Sequence, residues 1–140
     1  MSIQSPQPLT ILLVEDNPAD VRFFQEILAE ISLPTTLRIA NDGEHALAIL
    51  RQVNKESDAP IPDIVFLDIH LPKKNGHEVL AEINADATLH HLPVWVFVAE
   101  GDDPAKELIE TQGLTVAGYL IKPIGIDLLT KVLASARQSL

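Results

Sequence analysis

Five short apolar segments alternate with five segments of helical character, and this alternation constrains the fold more than any other feature of the chain. The first segment, Leu9–Val14, is apolar except for Thr10 and contains several β-branched residues. Such a run is typical of a strand that is buried on both faces. Asn17 and Pro18 then provide an N-cap and a first-turn proline, so we expect a helix from there to about Ile31. The first strand therefore leads directly into a helix.

The same alternation continues along the rest of the chain. The further predicted strands are Thr35–Ala40, 63–68, 93–99 and Gly118–Ile121, and the further predicted helices are 43–56, 76–86, 104–112 and 126–139. Strands separated by helices run parallel with right-handed crossovers, which places helices on both faces of the sheet. We therefore predict an α/β fold with a doubly wound, five-stranded parallel sheet in the flavodoxin-like strand order 2-1-3-4-5.

Length and composition restrict the domain organisation and the classes of partner. The chain has 140 residues, of which 46% are hydrophobic, and this is enough for one domain with its own core. We expect residues 1–8, which are rich in Ser, Gln and Pro, to form a flexible tail and residues 9–140 to form the domain. A net charge of −10 repels phosphate backbones and anionic lipid, so no nucleic acid and no membrane surface is expected as a partner.

The sequence has no segment typical of a membrane span or a signal peptide, and it has no cysteine. The apolar runs are much shorter than the ~20 residues of a membrane span, and residues 1–8 lack the features of a signal peptide. We therefore expect a cytoplasmic protein. The absence of cysteine excludes disulfides and cysteine-ligated zinc, and the five histidines show no spacing typical of a zinc site.

Charged residues follow three of the predicted strands, at the edge where ligands of doubly wound sheets bind. Glu15 and Asp16 follow the first strand, Asp68 ends the third, and Lys122 follows the fifth. Three converging carboxylates repel one another unless a cation lies between them, and hard oxygen ligands suit Mg²⁺. Asp68 is then placed to attack phosphorus, with the metal and Lys122 offsetting the phosphoryl charge.

Each of these features alone has a simpler structural explanation. An acidic pair before a helix commonly caps and solvates it, and an aspartate at a strand end before a proline is common in turns. A Lys-Pro pair is equally common in loops. The combination at three neighbouring strand ends favours a phosphoryl-transfer site over these separate explanations.

Three motifs make the chain resemble the receiver domains of two-component response regulators from Leu9 to Leu140. They are LLVED at residues 12–16, VFLDIHLP at 65–72 with Asn75-Gly76, and GYLIKP at 118–123. Residues 71–83 are most similar to the single-domain regulators that serve cyanobacterial phytochrome kinases. The resemblance implies that residues 9–140 are a receiver domain that accepts a phosphoryl group from a sensor histidine kinase and signals through protein contacts.

The resemblance also implies a role for each residue at the strand ends. Asp68 is the expected phosphoacceptor, and Lys122 pairs with the phosphoryl group. Asp16 and Asp68 are the expected direct Mg²⁺ ligands, and Glu15 reaches the ion mostly through water. The backbone carbonyl of His70 completes the expected protein ligands.

The end of the fourth strand departs from the family pattern. Val98 occupies the position that is normally Thr or Ser, whose hydroxyl bonds a phosphoryl oxygen and draws its loop inward. Tyr119 matches the aromatic residue that moves between exposed and buried states on activation, although a tyrosine at a strand edge also fills space. Because of Val98, the alternative to a phosphorylated receiver is a pseudo-receiver, an adaptor that its partners recognise without phosphorylation.

Two enzymes of similar architecture fit the sequence poorly. A flavodoxin-like FMN site needs a phosphate-binding loop after the first strand, where Glu15 and Asp16 would repel the phosphate. A haloacid-dehalogenase-type phosphatase needs an aspartate two positions after its nucleophile, where this chain has His70. We therefore expect a signalling protein and not an enzyme.

Two helices carry apolar residues outside their predicted core faces. In the first helix the apolar arc, which includes Val21 and Phe23, is wider than the ~100° stripe of a core face. This surface is either more deeply covered than usual or exposed as the docking site for the kinase's phosphohistidine domain. Leu128 and Leu140 lie off the inward face of the last helix. The resemblance implies that such residues contribute to a homodimer interface on the face formed by the fourth helix, the fifth strand and the last helix.

Overall fold

A computed structural model describes residues 7–52, 61–71 and 74–138, with Gln52 described through its backbone only. The predicted architecture is confirmed: five parallel strands form one sheet in the order β2-β1-β3-β4-β5. The elements, in chain order, are β1 (Leu9–Val14), α1 (Pro18–Ala29), β2 (Thr35–Ala40), α2 (Gly43–Gln52), β3 (Ile64–Asp68), α3 (Gly76–Ala85), β4 (Val94–Val98), α4 (Asp103–Thr111), β5 (Gly118–Ile121) and α5 (Ile126–Gln138).

The central strands owe their position to their uninterrupted apolar sequences. Every residue of β1 and β3 is buried, as expected for strands that are covered on both faces. Alternate side chains enter two separate cores. One core lies against α2, α3 and α4 and contains Leu12, Leu67 and Val98. The other lies against α1 and α5 and contains Leu13, Phe66 and Phe97.

Local capping explains where three helices begin or end. The side chain of Asn17 accepts hydrogen bonds at the start of α1, as predicted, but the helix ends at Ala29 and not near Ile31 because Glu30 is its C-cap. Asn75 and Glu78 form a capping box at the start of α3. Asp102 caps α4, which therefore begins one residue before the predicted proline.

Some predictions concern residues outside the described part of the chain. The predicted tail and the end of the predicted helix 43–56 lie largely there, as does Leu140. None of the helices in the described ranges has the length and apolar character needed to span a membrane.

A glycine brings α3 close to the end of β3. A β-carbon at Gly76 would lie 2.6 Å from the backbone oxygen of Asp68 and from the α-carbon of Ile69. The amide of Gly76 donates a hydrogen bond to the carbonyl oxygen of Ile69. Only a residue without a side chain permits this close approach, which fixes the loop next to Asp68.

Candidate functional site

The strand register brings the four charged residues singled out in the sequence to one edge of the sheet. Val14 pairs with Leu67, and Asp68 pairs with Phe97 in the next strand. The last residue of β3 and the residues that follow β1 and β5 therefore meet at the carboxyl edge of the sheet. They line a cleft of about 390 Å³.

Lys122 forms the centre of this cleft. Its ammonium nitrogen Nζ donates to Glu15 Oε1 at 2.5 Å, to Asp20 Oδ2 at 3.0 Å and to Asp68 Oδ2 at 3.1 Å. The three ammonium hydrogens thus have one carboxylate partner each. The structure therefore brings together Lys122, Glu15 and Asp68, which were expected to meet, and adds Asp20, which was not.

Glu15, Asp16 and Asp68 also form a cluster that can hold a cation. One carboxylate oxygen from each residue lies within 4.8 Å of the others. Glu15 and Asp68 are buried, whereas Asp16 is exposed. Three hard oxygen donors that open on one side to solvent fit a Mg²⁺ or Mn²⁺ ion that keeps several waters.

The pKa values of Glu15 and Lys122, which form an ion pair in the cleft, are both higher than usual. Burial raises the pKa of Glu15 to about 7, in spite of its hydrogen bond from Lys122. Burial alone would lower the pKa of Lys122, but its hydrogen bonds to Glu15 and Asp20 and the charge of Asp68 raise it above its ordinary value. The excess of carboxylates over ammonium groups in this cleft favours the entry of a further cation.

Asp68 is oriented through both of its oxygens. Oδ2 accepts from Lys122, and Oδ1 accepts from the backbone amide of His70 at 3.1 Å. The His70 imidazole lies 2.8 Å from Asp102 Oδ2 in the β4–α4 loop. This contact connects the loop beside the phosphoacceptor candidate to the start of α4.

Val98 and Tyr119 both pack in the core that lies between the cleft and α4. Val98 lines the cleft, is 2% exposed and packs in the core with Ala105 and Ile109 of α4. Tyr119 is half-buried against the same core, and the Lys106 ammonium lies 5.5 Å from its ring centroid. A switching role for either residue stays a prediction.

Asp20 is the site residue that the sequence reasoning missed. It was interpreted only as a favourable acidic residue in the first turn of α1. Its place in the first turn of the helix that follows Glu15 and Asp16 puts it near the same strand end, but nothing in the sequence indicates that its side chain contacts Lys122.

The fold and this cleft define a class of protein: a doubly wound domain with a lysine and clustered carboxylates at the carboxyl edge of its sheet. The sequence model of the response regulator receiver domain matches residues 11–134. The chain therefore belongs to this family, whose members are two-component signalling proteins.

Individual relatives narrow this class further. Over 122 residues, the chain is 40% identical to the response regulator Rcp1 of Synechocystis sp., with 87% of this chain and 82% of Rcp1 covered. The structure of the phosphorylated cyanobacterial phytochrome response regulator RcpA is similar with a TM-score of 0.75 at 36% identity, covering 94% of this chain and 93% of RcpA. The Mn²⁺-bound form of Rcp1 gives a TM-score of 0.72 at 38% identity, covering 91% of each chain. The predicted similarity to single-domain phytochrome regulators is confirmed.

Proposed function

We propose that this protein accepts a phosphoryl group on Asp68 from a phytochrome-type sensor histidine kinase and then signals by changing its protein contacts. The observation that carries the proposal is the 3.1 Å contact between Lys122 Nζ and Asp68 Oδ2 beside the three clustered carboxylates. Receiver domains receive phosphoryl groups from histidine kinases, and RcpA, a similar protein, is described in a phosphorylated form. The exchange would take place in the cytoplasm.

The proposed transfer uses one oxygen of Asp68 as the nucleophile. This oxygen forms a bond to phosphorus as the bond from phosphorus to the donor's histidine nitrogen breaks, and the electron pair stays on that nitrogen. Lys122 holds the Asp68 oxygen and then pairs with a phosphoryl oxygen. Mg²⁺, when bound, supplies further positive charge opposite the phosphoryl oxygens.

The expected metal ligands fit the described cluster. Asp16 and Asp68 would bind Mg²⁺ directly, Glu15 would act mostly through water, and the backbone carbonyl of His70 would complete the protein ligands. The chemistry of the donors supports this assignment, because carboxylate, carbonyl and water oxygens are the ligands that Mg²⁺ prefers.

The proposed function is tested by intact-mass measurement of the wild-type protein after incubation with acetyl phosphate. With Mg²⁺ we expect the addition of one acid-labile phosphoryl group, and with a chelator we expect none. Absence of uptake under both conditions would contradict the proposal and favour an adaptor that is read without phosphorylation.

Asp16→Asn tests the metal assignment. We expect this variant to bind Mg²⁺ several-fold more weakly than wild type, because it replaces a charged ligand by a neutral one in a site with few protein ligands. Isothermal titration of each protein with Mg²⁺ measures the difference. Asp127→Asn, which removes an exposed charge from the first turn of α5, is the matched control. Equal affinity of Asp16→Asn and wild type would show that the metal is bound elsewhere.

The exposed apolar margin of α1 is the proposed docking surface for the kinase's phosphohistidine domain. Phe23 on this helix is 41% exposed, which confirms that part of the wide apolar arc is not covered by the core. It lines a small crevice with Pro123 and Ile124 next to Lys122. A domain bound there would bring its phosphohistidine to the cleft.

Phe23→Glu tests this surface. We expect phosphoryl transfer from the kinase to slow while phosphorylation by acetyl phosphate stays nearly unchanged, because Phe23 lines the neighbouring crevice and not the cleft that contains Asp68. Both rates are measured with radiolabelled donors. Leu108→Glu, which places the same charge at an exposed leucine of α4, should slow neither reaction. Equal slowing of both reactions by Phe23→Glu would indicate damage to the cleft and not to docking.

The α4–β5–α5 face is the proposed surface for a homodimer. Leu128 is 46% exposed, as predicted from its position off the inward face of α5, and Leu108 and Ile121 are similarly exposed on α4 and β5. Apolar side chains on one face favour association with another protein surface.

A further inference from the structure

Asp20 has a place in the cleft that differs from that of the other carboxylates. It contacts Lys122 Nζ at 3.0 Å but is not a member of the Glu15, Asp16 and Asp68 cluster. Within the proposed function, Asp68 is converted to an acyl phosphate and Glu15 is also part of the expected metal site. Of the three carboxylates that contact Lys122, Asp20 alone is neither phosphorylated nor a member of the metal cluster.

The backbone of Asp20 is fixed relative to the sheet. The Asn17 side chain accepts hydrogen bonds from the amides of Ala19 and Asp20 at the start of α1. The helix is packed against the sheet through Phe24, whose ring makes edge contacts with Phe66 and Phe97. A carboxylate on this rigid turn therefore provides a fixed point of attachment for a flexible lysine side chain.

We propose that Asp20 is a positioning residue that keeps the Lys122 ammonium beside Asp68 while Asp68 is phosphorylated. Lysine has four rotatable bonds, and the ammonium acts only when it lies next to the transferring phosphoryl group. When phosphorus bonds to Asp68, that carboxylate loses its charge, and its hydrogen bond from the Lys122 ammonium breaks. A phosphoryl oxygen then accepts a hydrogen bond from the same N–H group, and Lys122 keeps its ion pair with Asp20.

The opposite role, in which Asp20 competes with the phosphoryl group for the ammonium, fits the geometry less well. The three hydrogens of Lys122 already have three separate acceptors. The phosphoryl group is attached to Asp68 itself, so it needs only the N–H group of Lys122 that had donated to Asp68. Transfer therefore does not require Asp20 to let go of the lysine.

The test compares Asp20→Ala, Asp20→Asn and wild type over a range of acetyl phosphate concentrations at saturating Mg²⁺. For Asp20→Ala we expect the maximal phosphorylation rate to fall about five-fold, because a less restricted lysine spends less time in the productive position. The half-saturating donor concentration should change much less. Asp20→Asn keeps an acceptor oxygen and should restore much of the rate. Asp103→Ala, which removes an acidic residue from the first turn of α4, is the matched control and should match wild type.

A second measurement follows the lysine directly. We expect the side-chain ammonium signal of Lys122 in ¹H–¹⁵N NMR to be protected from exchange in wild type and lost or broadened in Asp20→Ala. A maximal rate for Asp20→Ala that equals or exceeds wild type would overturn the proposal, as would an equal loss in Asp103→Ala. If wild type takes up no phosphoryl group, the proposed function fails. The NMR comparison then decides the anchoring role by itself, and an unchanged Lys122 signal would overturn it.

Discussion

Asp68→Asn is expected to abolish stable phosphoryl uptake from acetyl phosphate. The amide that replaces the carboxylate is a poor nucleophile, so no bond to phosphorus forms at this position. The remaining carboxylates are poorly placed to substitute for it. Glu15 has a side chain that is only 2% exposed, and its two oxygens accept hydrogen bonds from the Lys122 ammonium and from the backbone N–H of Asn17. Asp16 is exposed and is the expected direct metal ligand.

Intact-mass measurement after incubation with Mg²⁺ and acetyl phosphate gives the result. Wild type and Asp127→Asn should each gain one acid-labile phosphoryl group, and Asp68→Asn should gain none. The substitution removes one of several carboxylates that repel one another, so we expect thermal unfolding at no lower temperature than in wild type. A full mass shift in Asp68→Asn would show that another residue is the phosphoacceptor.

The positions of the predicted site residues follow from the fold with little further information. In a parallel sheet, the residue after each strand lies at the same edge, so the order 2-1-3-4-5 is enough to bring Glu15, Asp68 and Lys122 together. Both the strand sequences and the strand ends could therefore be predicted from apolar runs and charged residues. The motif resemblance added the role of each residue, which periodicity alone does not provide.

Contacts between side chains of different elements could not be predicted in this way. The pair Asp20–Lys122 depends on how α1 is tilted against the sheet, and the pair His70–Asp102 depends on the conformations of two loops. Both pairs link residues that are far apart in sequence and are not strand neighbours. The end of α1 was also predicted too late, because the C-cap at Glu30 has no glycine or proline signal.

Val98→Thr is expected to increase the conformational response to phosphorylation while leaving the chemistry of uptake nearly unchanged. Asp68, Lys122 and the metal ligands act without a hydroxyl at the end of β4. A phosphoryl group shifts a conformational equilibrium only through contacts that differ between the two states. A hydrogen bond to a charged group is worth about 1.5–3 kcal/mol, so the threonine contact corresponds to a population shift that is larger by about ten-fold or more.

The packing of Val98 determines how this test must be controlled. Its side chain is buried between the cleft and α4, and a threonine there introduces a hydroxyl that costs stability unless it is hydrogen-bonded. Val96→Thr makes the same change two residues earlier in the same core, away from the cleft. It should lower the thermal unfolding temperature without increasing the response to phosphorylation.

The response is measured at Tyr119 and in the oligomeric state. With a fluoroberyllate phosphoryl mimic, Val98→Thr should show larger NMR shifts of the Tyr119 ring and a larger change in sedimentation than wild type. The rate of uptake from acetyl phosphate should be similar in both proteins. An equally full response in wild type would contradict our account of Val98. The His70–Asp102 contact, which joins the loop after Asp68 to the N-cap of α4 at 2.8 Å, would then be the first connection to remove.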